Sequence, residues 1–253
     1  MILIDEYTIV NKGLKLDNNQ DNIYLNGIIL PEINEGYNGI KKKTSKSHNE
    51  LIYAVFDGIG GLDKGEHASF VAASSLKKYR NKKSIDEIIS IINKSIYDYN
   101  NKNNIDMGTT CSIISIKDNK LVIRQIGDSP IYILSKNTFT KVKAKKKNKK
   151  LLENYLGNNL DINMSIKKIK IKHNDKIIIC SDGLSLDDVE IEYLLTASND
   201  VKYIAEKLVN YSLMNNGNDN TTITVLKVRN NITLELVLIS LFALISIIAI
   251  YYL

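Results

Sequence analysis

Short apolar runs of β character alternate with paired helical stretches along this chain, and that order confines it to a few architectures. The β-patterned runs are 23–30 (IYLNGIIL), 51–56 (LIYAVF), 109–116 (TTCSIISI), 121–126 (LVIRQI), 131–134 (IYIL), 166–172 (IKKIKIK), 177–180 (IIIC) and 221–228 (TTITVLKV). Turn clusters such as Lys117-Asp118-Asn119 and His173-Asn174-Asp175 join several of them, as hairpins require. Two helical stretches, about 65–80 and 84–102, lie between the second and third runs. The latter opens on Ser84-x-x-Glu87, a capping box, and sets Ile85, Ile88, Ile89, Ile92 and Ile96 at helical spacing. A second pair, about 188–195 and 199–214, precedes the last run and ends near Gly217. Grouped strands with helix pairs between them predict an α+β fold with two antiparallel sheets and helices outside. No repeat and no Gly/Ser- or Pro-rich linker divides residues 1–229, which read as one domain.

Charge and hydrophobicity are unevenly spread. The 253 residues carry a net +6, yet the lysines at 141, 143, 145, 146, 147, 149 and 150 exceed that whole excess. The remainder is close to neutral, so a nucleic-acid partner is not expected. Residues 232–253 (ITLELVLISLFALISIIAIYYL) are almost wholly apolar. Leu236 to Leu253 as a helix would span roughly 27 Å, close to the thickness of a bilayer's hydrocarbon core. Tyr251 and Tyr252 suit the far interface, and Lys227 and Arg229 suit the cytoplasmic side. The expectation is a single-pass C-terminal transmembrane anchor at 232–253 with a cytoplasmic domain before it. The N-terminus, MILIDEYTIV, lacks a basic n-region and does not read as a secretory signal. Cys111 and Cys180 each sit inside a β-like run without a metal-spaced partner, and read as reduced core residues.

The chemistry is carried by aspartates. Asp57 follows LIYAVF, Asp128 follows VIRQIG, Asp182 follows IIICS, Asp219 stands just ahead of NTTITVL, and Asp21 precedes a further strand. One acid at a strand end is ordinarily an Asx-turn, but five are hard to explain as separate turns. If those ends converge, cations must offset the repulsion, and oxygen ligands without His or Cys select hard ions, Mg²⁺ or Mn²⁺.

Six segments together resemble the motif series of the PPM/PP2C metal-dependent serine/threonine protein phosphatases. They are Asn19-Gln20-Asp21; Asp57-Gly58-Ile59-Gly60-Gly61 continuing to Gly65-Glu66-His67-Ala68-Ser69; Gly108-Thr109-Thr110; Gly127-Asp128-Ser129; Ser181-Asp182-Gly183-Leu184; and Asp219-Asn220-Thr221-Thr222. The resemblance covers about 15–228 and implies a PP2C-like β-sandwich flanked by helix pairs, with a two-ion Mn²⁺ or Mg²⁺ centre at one end. By that resemblance Asp57 would bridge the ions, the Gly58 carbonyl would ligate one, and Asp182 and Asp219 would complete the set. Asp21 would hold metal-bound water, and Asp128 would serve a weaker third-ion site. The implied activity is hydrolysis of phosphoserine and phosphothreonine in proteins by a metal-activated water. The implied partners are phosphorylated proteins and a cognate Ser/Thr kinase.

Departures from the pattern point to a second reading. The family's usual phosphate-contacting arginine is Leu16 here, with Lys15 beside it as a point charge in place of a bidentate fork. Pro130 stands where arginine is common, Ile59 where some members carry histidine, and the flap is compressed to a short basic stretch, about 141–152. That stretch is expected to lie on anionic lipid or to steer phosphorylated substrates, unless it is only a solvated loop. A catalytically weak scaffold of the same fold, binding phosphoproteins or a kinase, is the alternative. A hydrolase of small phosphorylated molecules is disfavoured, because no P-loop or base-binding motif is present.

Overall fold

The computed structural model describes residues 2–45, 50–59, 64–143, 154–215 and 217–230. In chain order the elements are β1 (Ile2–Asn11), β2 (Asp21–Leu25), β3 (Gly36–Ser45), β4 (Leu51–Asp57), α1 (Gly65–Tyr79), α2 (Ile85–Asn103), β5 (Cys111–Lys117) and β6 (Lys120–Ile126). They continue with β7 (Ile131–Ser135), β8 (Thr138–Val142), β9 (Ser165–Lys170), β10 (Lys176–Cys180), α3 (Asp188–Ala197), α4 (Val201–Asn215) and β11 (Thr221–Asn230). Two antiparallel sheets result, ordered β3-β1-β11-β10-β7-β8 and β2-β4-β5-β6-β9.

Strand periodicity builds the layers. Along β4, Tyr53 and Val55 face the second sheet across the sandwich, while Ile52, Ala54 and Phe56 pack under α1 and α2. β10 does the same in the other sheet: Ile177 and Ile179 point inward, and Ile178 and Cys180 lie under α3 and α4. Central strands covered on both faces read as continuous apolar runs, which is why they are conspicuous in the sequence. The two helix pairs expected between strands are present, and the Ser84 box is formed in full, with Ser84 N donating to Glu87 Oε2 (2.9 Å) and Glu87 N to Ser84 Oγ (3.3 Å). Cys111 and Cys180 are free thiols in the core.

Four strand expectations are corrected. The run 23–30 is shorter as a strand, because Asn26 and Gly27 both take positive φ (49° and 105°) and turn Ile28 back to bond Leu25. β1, β3 and β8 carry no strong β signal: Asp5 and Glu6 interrupt β1, β3 reads GYNGIKKKTS, and β8 is only TFTKV. Pairing with neighbours makes them strands, β1 against β11 from Ile2↔Asn230 to Asn11↔Thr221 and β8 against β7. The basic stretch also begins later than expected. Lys141 lies in β8, ion-paired with Asp188 and 5.2 Å from the Tyr132 ring centre. The rest of it, 144–152, and the apolar segment 232–253 lie outside the described residues. Among the described residues no helix is long and apolar enough to cross a membrane.

Candidate active site

Antiparallel pairing brings the acids to one end of the sandwich. Asp21 opens β2 and Asp57 closes β4, and the register sets them directly opposite each other. In the other sheet β10 ends at Cys180, paired with Ile223, so Ser181-Asp182 and Asp219-Asn220 emerge side by side. The sheets are joined at this end by hydroxyls. Ser181 Oγ donates to Asp21 Oδ2 (2.8 Å), as does Thr222 Oγ1 (2.6 Å), while Ser181 Oγ itself accepts from Thr222 N (2.9 Å). Asp182 N approaches Asp57 Oδ2 at 3.4 Å.

The backbone around Asp57 is held tightly. Thr110 N and Thr109 Oγ1 both donate to Asp57 O (2.8 and 2.9 Å), and Asp57 N donates to Thr110 Oγ1 (3.2 Å). Gly58 is obligatory for packing: a Cβ there would stand 2.3 Å from Gly65 O and 2.7 Å from Gln20 O. Gly60 and Gly61 lie outside the described residues. On the other flank Asn220 fastens the loop between β1 and β2. Its Oδ1 accepts from Gln20 N (2.7 Å), and its Nδ2 donates to Lys12 O and Asn18 O (2.8 and 3.1 Å).

Electrostatically the site is under tension. Burial, then the carboxylates of Asp21, Asp182 and Asp219, push Asp57 well above the usual carboxylate range. Asp21 is pushed up to about 7, chiefly by burial, against the lowering effect of its bonds from Thr222 and Ser181, with Asp219 and Asp182 adding repulsion. Asp182 and Asp219 are exposed and line a cleft of about 130 Å³ with Gly183, Ser185, Gly217 and Asn218.

These residues fit a pair of hard divalent cations. The side chains facing the cleft offer oxygen donors, four carboxylates repel one another, and Asp21 Oδ1 is buried with no hydrogen-bond partner. Among the described residues no group of three or more His, Cys, Asp or Glu side chains forms a ligand set that could hold an ion by itself. Ions of the Mg²⁺ type do not require one, since each keeps several waters and takes one or two carboxylates. Both thiols are pushed up by burial, so neither is a thiolate nucleophile.

Comparison with known proteins follows the same lines. Residues 41–216 match the family described as protein phosphatase 2C. The chain belongs to the protein phosphatase 2C family. It is 26% identical over 219 residues to a protein of Listeria welshimeri named serine/threonine phosphatase stp, covering 73% of this chain and 86% of that one. Among solved structures, it shares its fold with the catalytic domain of the serine threonine protein phosphatase PstP in complex with two manganese ions. The TM-score is 0.72 and the identity 21%, over 91% of this chain and 100% of that one. The Mycobacterium tuberculosis phosphatase PstP/Ppp also scores 0.72, at 21% identity over 90% and 100% of the chains. An S. agalactiae serine/threonine phosphatase scores 0.72 at 18% identity, over 88% and 99%. By family, then, the chain is a protein phosphatase, with the acids that this 2C fold places in its cleft.

The remaining sequence expectations fall on the periphery of that cleft. Asp128 is half-buried in the turn between β6 and β7, linked to the centre through Ser129 Oγ, 2.7 Å from Thr110 Oγ1. Lys15 and Leu16 are exposed on the loop that Asn220 fastens. Pro130 is buried, and Ile59 N donates to Gly108 O at 3.1 Å. Residue-by-residue reading missed the supporting hydroxyls and amide: Ser181, Thr222, Thr109, Thr110 and Asn220. Each, as a letter of one of the six motifs, was visible in the sequence. Its role depends on which strands become neighbours.

Proposed function

We propose that this chain hydrolyses phosphoserine and phosphothreonine in proteins, using two divalent cations, Mn²⁺ or Mg²⁺, held in the cleft. The observation that carries the reading is the set of four acids from two sheets, with Asp21 Oδ1 buried and unpartnered among them. Asp57, the Gly58 carbonyl, Asp182 and Asp219 are the ligands. When bound, the cations supply Lewis-acid stabilisation of the phosphoryl oxygens and an activated water for attack at phosphorus. The protein's own part is positional. Thr109 and Thr110 fix the Asp57 backbone, and Ser181 and Thr222 saturate Asp21 Oδ2. Asp21 Oδ1 is thereby left as the acceptor that orients a water. Asp128 serves a weaker third-ion site, and Lys15 gives a point-charge contact to substrate phosphate.

The wider setting belongs to the same reading. The apolar stretch 232–253 acts as a single-pass C-terminal transmembrane anchor, leaving the phosphatase at the cytoplasmic face of a membrane. The lysines beyond Lys143 lie over anionic lipid or draw in phosphorylated substrates, and a cognate Ser/Thr kinase supplies those substrates.

The test is release of inorganic phosphate from a phosphothreonine peptide by the full chain, with Mn²⁺ and with excess chelator. Turnover that appears with Mn²⁺ and vanishes with chelator is expected. A chain inert towards both that peptide and an aryl phosphate sinks the enzymatic reading and leaves the phosphoprotein-binding scaffold, which Leu16 in place of arginine favours.

A further inference from the structure

Strand direction sorts this molecule into two ends, and the end away from the cleft carries a row of lysines that the fold does not use. β5 and β6 form a hairpin around Asp118-Asn119, and the register pairs Lys117 with Lys120 and Lys120 with Lys170. Residues in register on adjacent strands project from the same face, so three ammonium groups stand side by side at strand spacings of about 4.8 Å. Lys168, two residues along β9, shares that face. All four are exposed, and among the described residues none is ion-paired. With Val122 as an apolar floor, Lys120, Lys168 and Lys170 line a shallow groove of about 420 Å³.

Folding alone gives no reason for this arrangement. Like charges directly opposite one another weaken a sheet. Asp118 is the one carboxylate in the hairpin to offset three of them. Val122 is also only partly buried. An external anion removes the repulsion, and a flat row of ammonium groups around a shallow floor suits an extended anionic surface better than a single phosphate in a pocket.

Hydrogen bonds connect this face to the end of β11, the last of the described residues. Ile171 N donates to Asn119 O (2.9 Å), and Asn174 N donates to Val228 O (2.8 Å), two residues before Asn230. Beyond that point the sequence runs directly into the apolar stretch 232–253. The lysine row and the end of β11 at Asn230 therefore share one end of the sandwich. The acids Asp21, Asp57, Asp182 and Asp219 occupy the other.

We propose that the Lys117, Lys120, Lys168 and Lys170 face docks on an anionic lipid leaflet and holds the catalytic cleft pointing away from it. The attraction rests on charge and does not need the anchor. The anchor proposed above serves only to bring the face to the leaflet. Each lysine brought close to such a surface contributes roughly fivefold in partitioning at low salt.

The experiment uses the full chain with vesicles of phosphatidylcholine alone and of phosphatidylcholine mixed with phosphatidylglycerol. Flotation reports association, and an amine-reactive label read by mass spectrometry reports exposure of each lysine, with Lys102, exposed in the last turn of α2, as internal standard. Docking predicts severalfold weaker labelling of Lys117, Lys120, Lys168 and Lys170 on the mixed vesicles only, reversed by high salt. The double variant Lys120→Glu/Lys170→Glu should restore labelling of Lys117 and Lys168. Flotation with both lipids and equal labelling on both overturns the docking face while leaving the anchor standing. Flotation with the mixed vesicles alone, with protection, supports the face and removes the anchor. No flotation with either removes both.

Discussion

Lys176 and Asp21 are charged side chains buried at opposite ends of this sandwich, and the protein treats them differently. Lys176, at the start of β10, is 5% exposed, and its ammonium is enclosed by α3's final carbonyls: it donates to Leu195 O and to Ser198 O (2.6 Å). Asp21, at the start of β2, is 1% exposed and has one oxygen satisfied twice and the other not at all. A cation at a helix C-terminus with carbonyl partners is a finished structural joint. A carboxylate left half-paired beside three others is finished only by something that is not protein. Burial of charge by itself marks neither stability nor function. Whether the remaining valence can be met from within the fold separates the two.

Substitution at each end sharpens the contrast. The largest effect is expected for Asp57→Asn, with kcat/KM on a phosphothreonine peptide falling by more than about 100-fold, or roughly 2.7 kcal/mol of transition-state stabilisation. The same change should raise the melting temperature of chelator-treated protein, because it removes a carboxylate held ionised only at a cost. If the metal-free variant melts lower than the parent, the claim of electrostatic tension is wrong. Asp182→Asn should lower the rate by at least about tenfold; a smaller change would remove Asp182 from the ligand set. Thr222→Val, which deletes one donor to Asp21 Oδ2, should weaken Mn²⁺ binding by about 10- to 100-fold in a titration calorimeter while leaving the fold intact.

At the other end Lys176→Met should cost about 1–3 kcal/mol of stability by leaving the Leu195 and Ser198 carbonyls unpaired, with Mn²⁺ affinity unchanged. Any loss of metal affinity there would break the separation of the two ends. The remaining effect is in pH dependence. Asp21 is raised from 3.8 to about 7 in the folded protein. Its favourable contribution is therefore complete below its unfolded value and is lost as pH rises through about 7. Chelated protein should melt progressively lower between those limits, and saturating Mn²⁺ should flatten or invert the slope. A melting curve insensitive to pH without metal would contradict the raised Asp21.

Much of this was legible beforehand, for reasons that differ by element. The four helices declare themselves through periodicity and caps, and Ser84-x-x-Glu87 forms the box that its letters describe. β4, β5 and β10 are buried on both faces and stand out as apolar runs. β1 and β3 are hidden because one carries Asp5 and Glu6 and the other lysines, and a partner strand makes them β. The acids could be located by their position at strand ends. The contacts of Ser181 and Thr222 with Asp21 could not, since they span 160 and 201 residues and exist only once β10, β11 and β2 are neighbours. Lys141 shows the reverse error: a lysine that reads as part of a solvated run is tied to Asp188 in a strand.

β11 begins at Thr221 beside the cleft and ends at Asn230, and the apolar stretch 232–253 follows in the sequence. Ten residues of strand measure about 33 Å. If that stretch inserts in a bilayer as proposed, β11 would act as a ruler, and the enzyme would read height. Phosphorylated residues close to the membrane plane would pass beneath the cleft. Those on arms about 30 Å or longer would be within reach, so substrate choice would depend on tether length as well as on local sequence.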